Sequence, residues 1–568
     1  MVEFGAASLI PPVLAIALAI VTRKAVLSLF LGIWSGGVIQ AGGPTLLGDP
    51  VGWVSGVVAA GFGFFPAFDW IIAAIAGEFH ATIIVFTLLL GSGVAMVWNL
   101  GGSYAIRDWA LKRLTTQRKA GVSIAVLGVI LFFDDYANTA IVGSSMKDVS
   151  DRLRISREKL SYLVDSTAAP VATLGISSWV AFQLSLISDG YEAAGVSDHP
   201  PVFEVFVNSI PFNMYAILAI VMVFVIVLSG RDYGEMLAAE HRSWSTGKVN
   251  REEARPMQDV AAELGDPSAA NPRLINFFGP VAVLIVVTLI GALWTGGFTP
   301  GGFLADPTGA LWDGVTNAAY DKALLYGSFA MVVTGFVLGK AYGIFGLGEA
   351  TDTTIDGFGI MLTAVSILSL AWGIGEVVSA LGTGEYVAGV AEGVVNPAIL
   401  PALVVVIAAF MAFSTGTSWG TMGILTPIVI PVAWSITGGG AAGHTLVAAM
   451  VGAIFSGSIF GDHTSPISDT TVLSATFTGA DLIDHVRTQL YYAGTVGIVA
   501  IVLLLVWGYV GISPVVLLPI GAVVLVGLVY GLSEFDARRR GISPIAANTP
   551  REDVGETDAG VDTDVGSE

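Results

Sequence analysis

Long apolar stretches, separated by short polar segments, run through almost the whole chain. A helix that crosses the hydrocarbon layer needs roughly 20 apolar residues, with about 17 to 25 tolerated. The longer stretches are therefore predicted to span a membrane, and the shorter ones either extend into small polar neighbours or do not span. The stretches are residues 8–21, 25–40, 81–98, 120–133, 209–229, 276–295, 323–339, 358–372, 398–413, 443–460, 490–509 and 513–531.

The polar segments divide the chain into predicted units. Arg23 and Lys24 follow the first apolar stretch, whereas a signal peptide carries its positive charge before that stretch, so we expect a retained membrane helix. The predicted units are N-terminal membrane helices over 1–54, a first membrane repeat over 55–230, a cytoplasmic polar loop over 231–275, a linking membrane helix with an outer loop over 276–314, a second membrane repeat over 315–510, a C-terminal membrane helix over 511–533 and a disordered acidic cytoplasmic tail over 534–568.

The distribution of Lys and Arg predicts orientation, because short basic loops stay in the cytoplasm. Residues 107–119, 147–159 and 231–273 are rich in Lys and Arg and are predicted to be cytoplasmic. The segments 189–204 and 296–321 are acidic or neutral and are predicted to lie outside.

Residues 120–146 lie between two basic segments that both belong in the cytoplasm, and one crossing would place one of them outside. A hairpin that enters from the cytoplasm and turns at Asp134 and Asp135 satisfies both segments, since irregular backbone is tolerated where protein or a water-filled cavity surrounds it. The alternative is a single span with a polar end. We expect residues 405–435 to form the inverted counterpart from outside.

Polar interruptions occur in the same order in both halves of the chain. FFDDYANTAIVG (132–143) precedes DSTAAPVATLGISSW (165–179), and FSTGTSWGTMG (413–423) precedes GDHTSPISDTTVLSA (461–475). Matching polar segments with Gly or Pro in two halves are typical of transporters built from inverted repeats.

The composition of the chain argues against several classes of protein and of binding site. The 568 residues are 54% hydrophobic and 12% charged, against about 25% charged in soluble domains. The formal net charge of -20 argues against a nucleic-acid partner, and the absence of Cys excludes disulfides and thiolate metal sites. An acid-rich, Lys-poor chain is also what we expect from a salt-loving organism.

Acidic residues inside the predicted membrane segments are the candidate ion-binding groups, because a carboxylate at the bilayer centre costs at least ~2.5 kcal/mol. With neighbouring hydroxyl and amide oxygens they suit a hard cation such as sodium, and we expect no other metal and no catalytic residue. Structural alternatives stay open: helix capping by Asp134 and Asp135, and cross-helix hydrogen bonding by Asp165. His463 has no second His at ligand spacing, so a zinc site is not expected. The candidates are Asp134, Asp135, Asn138, Asp165, Thr167, Thr415, Thr417, Asp462, Thr464, Ser465 and Asp469.

Three blocks, residues 132–179, 414–434 and 455–493, are similar to the sodium/proton antiporter family of the NhaC type. The resemblance implies the fold of the ion transporter superfamily: an all-α integral membrane protein, an inverted-repeat secondary transporter with two re-entrant hairpins and two broken helices. It also implies a multi-pass protein of the cell membrane, a homodimer with a moving transport domain, and no cofactor, since sodium and protons are the transported ions.

The predicted function is sodium/proton exchange by alternating access, without enzymatic chemistry. A poorly hydrated carboxylate holds protons more tightly, and a bound cation opposes this, so one site can exchange the two ions. The alternative is a sodium- or proton-coupled carrier or exchanger of a small organic acid or amino acid. An organic anion needs a cationic partner, and residues 132–143 and 413–475 contain no Lys or Arg.

Overall fold

The structure is a computed structural model. It describes residues 4–22, 24–43, 49–102, 105, 113–132, 135–175, 177, 179, 183–184, 186–187, 190–191, 194–256, 273–382, 386 and 396–550. Asp134, one of the predicted ion ligands, lies outside the described residues.

Helices form the regular structure of the described residues, and no strand occurs among them. Short 3-10 helices cover Gly5–Leu9, Ile210–Phe212 and Ala546–Asn548. The α-helices are α1 (Ile10–Thr22), α2 (Ala25–Gly42), α3 (Pro50–Ala59), α4 (Phe64–Ala76), α5 (Glu78–Asn99), α6 (Gln117–Ile130), α7 (Asp135–Arg152), α8 (Arg157–Asp165), α9 (Ala169–Ala172), α10 (Val202–Ser209), α11 (Met214–Ser229), α12 (Glu235–Thr246), α13 (Ile275–Thr295), α14 (Pro300–Ala305), α15 (Pro307–Thr316), α16 (Tyr320–Ala341), α17 (Leu347–Ala380), α18 (Leu400–Thr415), α19 (Ser418–Thr437), α20 (Gly440–Thr464), α21 (Asp469–Thr478), α22 (Leu482–Val510) and α23 (Pro514–Arg540).

Among the described helices, 6 are long and apolar enough to cross a membrane, or up to 8 if each of two bent pairs counts as one span. Helix α20 is the most buried of these, whereas α23 presents most of its apolar surface outward. An apolar exterior has to be covered by lipid, which confirms the predicted all-helical, multi-pass membrane fold.

Helices α6 and α7 form a helical hairpin. The side-chain amide of Gln117, at the start of α6, donates a hydrogen bond of 2.9 Å to the carbonyl oxygen of Arg154, just beyond the end of α7. The chain therefore returns to the side from which it entered, as the two basic flanking segments require.

Polar segments with the same predicted orientation meet in space. On one face, the backbone N–H of Arg157 donates to the carbonyl of Val249, and Lys159 pairs with Asp232 at 2.7 Å. On the other, the rings of Phe203 and Trp312 lie 4.3 Å apart between centroids. These contacts join basic segments to each other and acidic or neutral segments to each other.

Each half of the chain contains a broken helix at its Asp motif. Helix α8 ends at Asp165, residues 166–168 form a turn, and α9 follows. Helix α20 ends at Thr464 and α21 begins at Asp469, with Pro466 in the gap, where a residue without an N–H cannot continue the helical ladder. Such breaks free backbone groups inside the membrane domain.

Helix packing forms two groups. The first contains α1–α5, α13, α16 and α17, and the second contains α6–α11 and α18–α23. Helix α17 contacts both groups, touching α18 and α21 of the second. Each half of the chain therefore contributes helices to both groups.

The C-terminal helix is longer than the apolar pattern predicts. Helix α23 continues to Arg540, past the predicted end at residue 533, because its last turns are polar and leave the apolar zone without ending the helix. The chain then packs on α12, where His241 hydrogen-bonds the carbonyl of Ser543 at 2.7 Å and Trp244 donates to that of Thr549 at 2.9 Å.

Candidate ion-binding site

Asp462 lies in the last turn of α20 and is fully buried. Its two carboxylate oxygens accept hydrogen bonds from the hydroxyls of Ser468, at 2.7 Å, and Thr470, at 2.9 Å. The Thr471 hydroxyl donates to its backbone carbonyl at 3.1 Å. The helix break thus folds back onto Asp462, and every one of these donors is uncharged.

Asp469, the first residue of α21, is a second buried carboxylate beside the first. One of its oxygens accepts the backbone N–H of Thr470 at 2.9 Å, and the other accepts the hydroxyl of Tyr136. Because Thr470 binds both carboxylates, Asp462 and Asp469 belong to one polar cluster. We call Tyr136, Asp462, Ser468, Asp469 and Thr470 the ion-binding centre, after the role that the sequence predicts for its two aspartates.

Asp165, at the end of α8, is also fully buried. Ser474 donates to one of its oxygens at 3.2 Å, and the other lies 2.7 Å from the amide nitrogen of Gln489 and 3.3 Å from Nε2 of His485. The donors come from α21 and α22, so the broken helix of the first half is held by the second half of the chain.

His463 connects Asp165 with the ion-binding centre, since it directly follows Asp462. Its Nε2 lies 3.1 Å from the backbone carbonyl of Asp165, which can only accept, and its Nδ1 lies 3.1 Å from the Tyr215 hydroxyl. In the neutral imidazole, Nε2 therefore donates and Nδ1 accepts from Tyr215. Asp165 and Asp462 therefore lie in one region of the fold.

The first hairpin contributes Asp135 and Asn138, both buried. The amide of Asn138 donates to the carbonyls of Gly128, at 2.6 Å, and Thr167, at 2.9 Å, and its oxygen has no hydrogen-bond partner among the described residues. Asp135 begins α7, and its carboxylate accepts the N–H of Tyr136 at 3.1 Å. The amide bonds fasten the hairpin to the turn after Asp165.

The turn between α18 and α19 packs against the break that follows α20. A Cβ on Gly416 would lie 2.5 Å from the carbonyl oxygen of Ile467, so only glycine fits there. The Ser465 hydroxyl donates to the carbonyl of Phe413 at 2.8 Å. The turn residues Thr415 and Thr417 are therefore held beside the ion-binding centre.

Three of the predicted hydroxyl ligands donate to a helix carbonyl one turn back: Thr167 to Leu163, Thr415 to Met411 and Thr464 to Phe460, at 2.7–2.8 Å. Thr417 instead caps α19 by accepting the N–H of Gly420. A hydroxyl that donates its proton keeps oxygen lone pairs for a cation.

The charge in this region is negative and unpaired by Lys or Arg. Among the described residues, no Lys or Arg forms an ion pair with Asp165, Asp462 or Asp469. No group of three or more described His, Asp or Glu side chains has the geometry of a metal cluster. The arrangement presents hard oxygen atoms, the type of ligand that suits a small hard cation.

The similarity of the chain to known proteins supports a transport site. The sequence profile of the Na+/H+ antiporter family matches residues 171–509, more than half of the chain. The chain belongs to the Na+/H+ antiporter family. It is therefore a membrane transporter, and the matched range includes Asp462, Asp469 and the turn at Gly416, whereas Asp135, Asn138, Asp165 and Thr167 precede it.

The relatives of this antiporter-family chain align with different fractions of its length. An uncharacterized protein of Haemophilus influenzae is 31% identical over 509 residues, which cover 87% of this chain and 90% of that protein. The malate-2H(+)/Na(+)-lactate antiporter of Bacillus subtilis is 29% identical over 195 residues, 33% of this chain and 37% of that protein. The Na(+)/H(+) antiporter NhaC of Alkalihalophilus pseudofirmus is 27% identical over 163 residues, 29% of this chain and 34% of that protein.

Proposed function

We propose that the protein exchanges sodium for protons across the cell membrane and that sodium binds at the ion-binding centre. The observation that carries the proposal is the pair of buried carboxylates, Asp462 and Asp469, whose hydrogen-bond donors are all neutral. Burying a charge costs several kcal/mol unless it is compensated. Sodium or a proton supplies that compensation, and neither needs a cofactor.

Competition between the two ions couples their gradients. Burial favours the protonated form of a carboxylate, whereas a bound cation favours the ionised form. Sodium binding therefore releases a proton, and protonation releases sodium. Hydroxyl oxygens of Ser468 and Thr470, and those of Thr415 and Thr417 at the neighbouring turn, serve as neutral ligands.

Alternating access needs one part of the protein to move against another. The two helix groups supply these parts, and the residues of the ion-binding centre all belong to the second group. We propose that the second group carries the ion past the first, with α17 at the boundary, and that each ion-loaded state opens to one side at a time.

Flux measurements in proteoliposomes test this function. A sodium gradient should drive proton movement, seen with a pH-sensitive dye, and the exchange should be lost in Asp462→Asn and Asp469→Asn. Asp198→Asn removes an exposed carboxylate from a predicted outer loop and should retain the flux. Unchanged exchange in both buried variants would contradict the proposal.

Exchange of organic acids is a second candidate, which the similarity to the Bacillus subtilis malate-2H(+)/Na(+)-lactate antiporter supports. No described Lys or Arg pairs with Asp165, Asp462 or Asp469, which speaks against an organic anion there. Adding malate and lactate on opposite sides of the proteoliposomes distinguishes the two. Sodium flux that needs either acid would favour the second candidate.

We also propose a homodimer, which the resemblance to the ion transporter superfamily supports. Cross-linking in native membranes, followed by separation by mass, tests it. A single band at the monomer mass under saturating cross-linker would contradict the dimer.

A further inference from the structure

A cavity of about 360 Å³ lies at the open end of the first hairpin. The start of α6, the link between α7 and α8, the end of α11 and residues 545–547 surround it. The apolar part of α11 ends here and the basic segments begin, so the cavity lies at the membrane surface that the basic segments predict to be cytoplasmic.

Two arginines at this cavity have no acidic partner among the described residues. Arg118, in the first turn of α6, and Arg152, the last residue of α7, both line it and are both exposed. Neither guanidinium forms an ion pair or a hydrogen bond with any described residue. Other arginines of the same face are paired with acids: Arg157 with Asp151, Arg242 with Glu158, Arg251 with Asp484, Arg487 with Glu235, and Arg540 with Asp536.

The chain has 45 acidic and 25 basic side chains, yet none of the described acids pairs with these two arginines. The acids at the back of the cavity, Asp232 and Glu240, have other partners. Both form ion pairs with Lys159, Asp232 accepts a hydrogen bond from the Tyr492 hydroxyl, and Glu240 accepts one from the backbone N–H of Ser156. The free charge of the cavity is therefore positive and is concentrated at its rim.

The wall on the membrane side is apolar. Leu163, Val227 and Leu228 line it, and Leu228 is 46% exposed. Exposed apolar residues continue along α6 at Leu127 and Ile130. A ligand in this cavity thus meets guanidinium groups at one end and a lipid-facing apolar surface at the other.

We propose that this cavity binds the phosphate head group of an anionic phospholipid of the cytoplasmic leaflet. Guanidinium groups match phosphate geometry with paired hydrogen bonds, and basic pockets between membrane helices on the cytoplasmic side suit lipid head groups. The apolar wall distinguishes a lipid from free phosphate, because the start of an acyl chain can continue along α6. The bound lipid holds the open end of the hairpin against α11 and the C-terminal segment.

Lipid binding to the purified full-length protein in neutral detergent tests this proposal. Phosphatidylglycerol is titrated while thermal stability is followed, and retained lipid is counted by native mass spectrometry. Arg118→Gln combined with Arg152→Gln should weaken phosphatidylglycerol binding roughly thirty-fold, which corresponds to about 2 kcal/mol. Replacing both arginines by Lys should restore part of the affinity, because the charge returns without the planar fork.

The matched control is Arg538→Gln combined with Arg539→Gln, which removes two cytoplasmic arginines that have acidic partners. It should bind phosphatidylglycerol like the wild type, and phosphatidylcholine should stabilise none of the proteins. Equal phosphatidylglycerol binding by the Arg118/Arg152 variant would overturn the proposal. Stabilisation of the wild type by glycerol 3-phosphate alone, to the same extent as by the lipid, would also overturn it, since a soluble phosphate would then suffice.

Discussion

The Tyr136 hydroxyl donates a hydrogen bond to the Asp469 carboxylate, and so joins the hairpin of the first half of the chain to the broken helix of the second. Tyr136 is buried and directly follows Asp135. The ion-binding centre is therefore assembled from both halves, and a movement that separates them would remove one donor from Asp469.

Removing this hydroxyl should weaken sodium binding. A hydrogen bond to a charged group contributes about 1.5–3 kcal/mol, so Tyr136→Phe should raise the apparent KM for sodium roughly ten-fold or more at constant pH. Protons should compete better, because the ionised form of Asp469 loses a donor. Initial rates of sodium-driven flux measure both effects. Tyr530→Phe, half exposed on α23, is the control, and an unchanged KM in Tyr136→Phe would show that the bond has no role in sodium binding.

The glycine of the second turn should not tolerate a side chain. Gly416 has φ +69 and lies against the carbonyl of Ile467, whereas Gly438 has φ +70 and meets no described atom within 4 Å of an added Cβ. Both Ala substitutions should cost about 1–2 kcal/mol for the left-handed backbone, and Gly416→Ala about 1–3 kcal/mol more for the displaced neighbour. Thermal unfolding in detergent compares them. Equal stability of Gly416→Ala and Gly438→Ala would contradict this packing.

Labelling of introduced cysteines tests the hairpin, since the chain contains no Cys of its own. Arg118→Cys and Arg152→Cys, at the two open ends of α6 and α7, should both react with a membrane-impermeant maleimide from the cytoplasmic side. Thr308→Cys, exposed on α15, should react from outside. Reaction of Arg118→Cys and Arg152→Cys from opposite sides would require α6 and α7 to cross the membrane once.

The C-terminal segment that packs on α12 should stabilise the protein. A chain that ends after Gly541 loses the acceptors of His241 and Trp244, about 1 kcal/mol for each hydrogen bond, and its melting temperature should fall by about 3 °C. A chain that ends after Thr549 keeps both acceptors and should melt like the full-length protein. Equal melting of the two truncated chains would show that these contacts add no stability.

The helix breaks and the buried acids could be predicted from the sequence. An acid inside an apolar stretch costs free energy unless it has partners, and a proline there interrupts the helical hydrogen bonds. Asp165, Asp462 and Asp469 were found in this way, and Asp165 and Asp462 are connected through His463. The hydroxyls of Ser468 and Thr470 stood in the same motif, but no periodicity marks which hydroxyl faces a carboxylate.

Contacts between distant parts of the chain could not be predicted. Tyr136 contacts Asp469, and His485 and Gln489 contact Asp165. In each pair the two residues are separated by more than half of the sequence, and no spacing rule connects such positions. No second histidine stands at ligand spacing from His463 in the sequence. In the structure, however, both histidines contact Asp165, His463 at the backbone carbonyl and His485 at the carboxylate. The predicted division into repeats and the predicted ion ligands remain predictions.

Direct binding of radioactive sodium to the purified protein tests the central claim, that the carboxylates of Asp462 and Asp469 hold sodium. Binding is measured at equilibrium at mildly alkaline pH, and then at lower pH. The wild type should bind sodium saturably and release it as the pH falls, and Asp198→Asn should do the same. The double variant Asp462→Asn with Asp469→Asn, shown to be folded by its melting transition, should bind no saturable sodium at any pH. Saturable binding of wild-type affinity in that folded double variant would contradict the account.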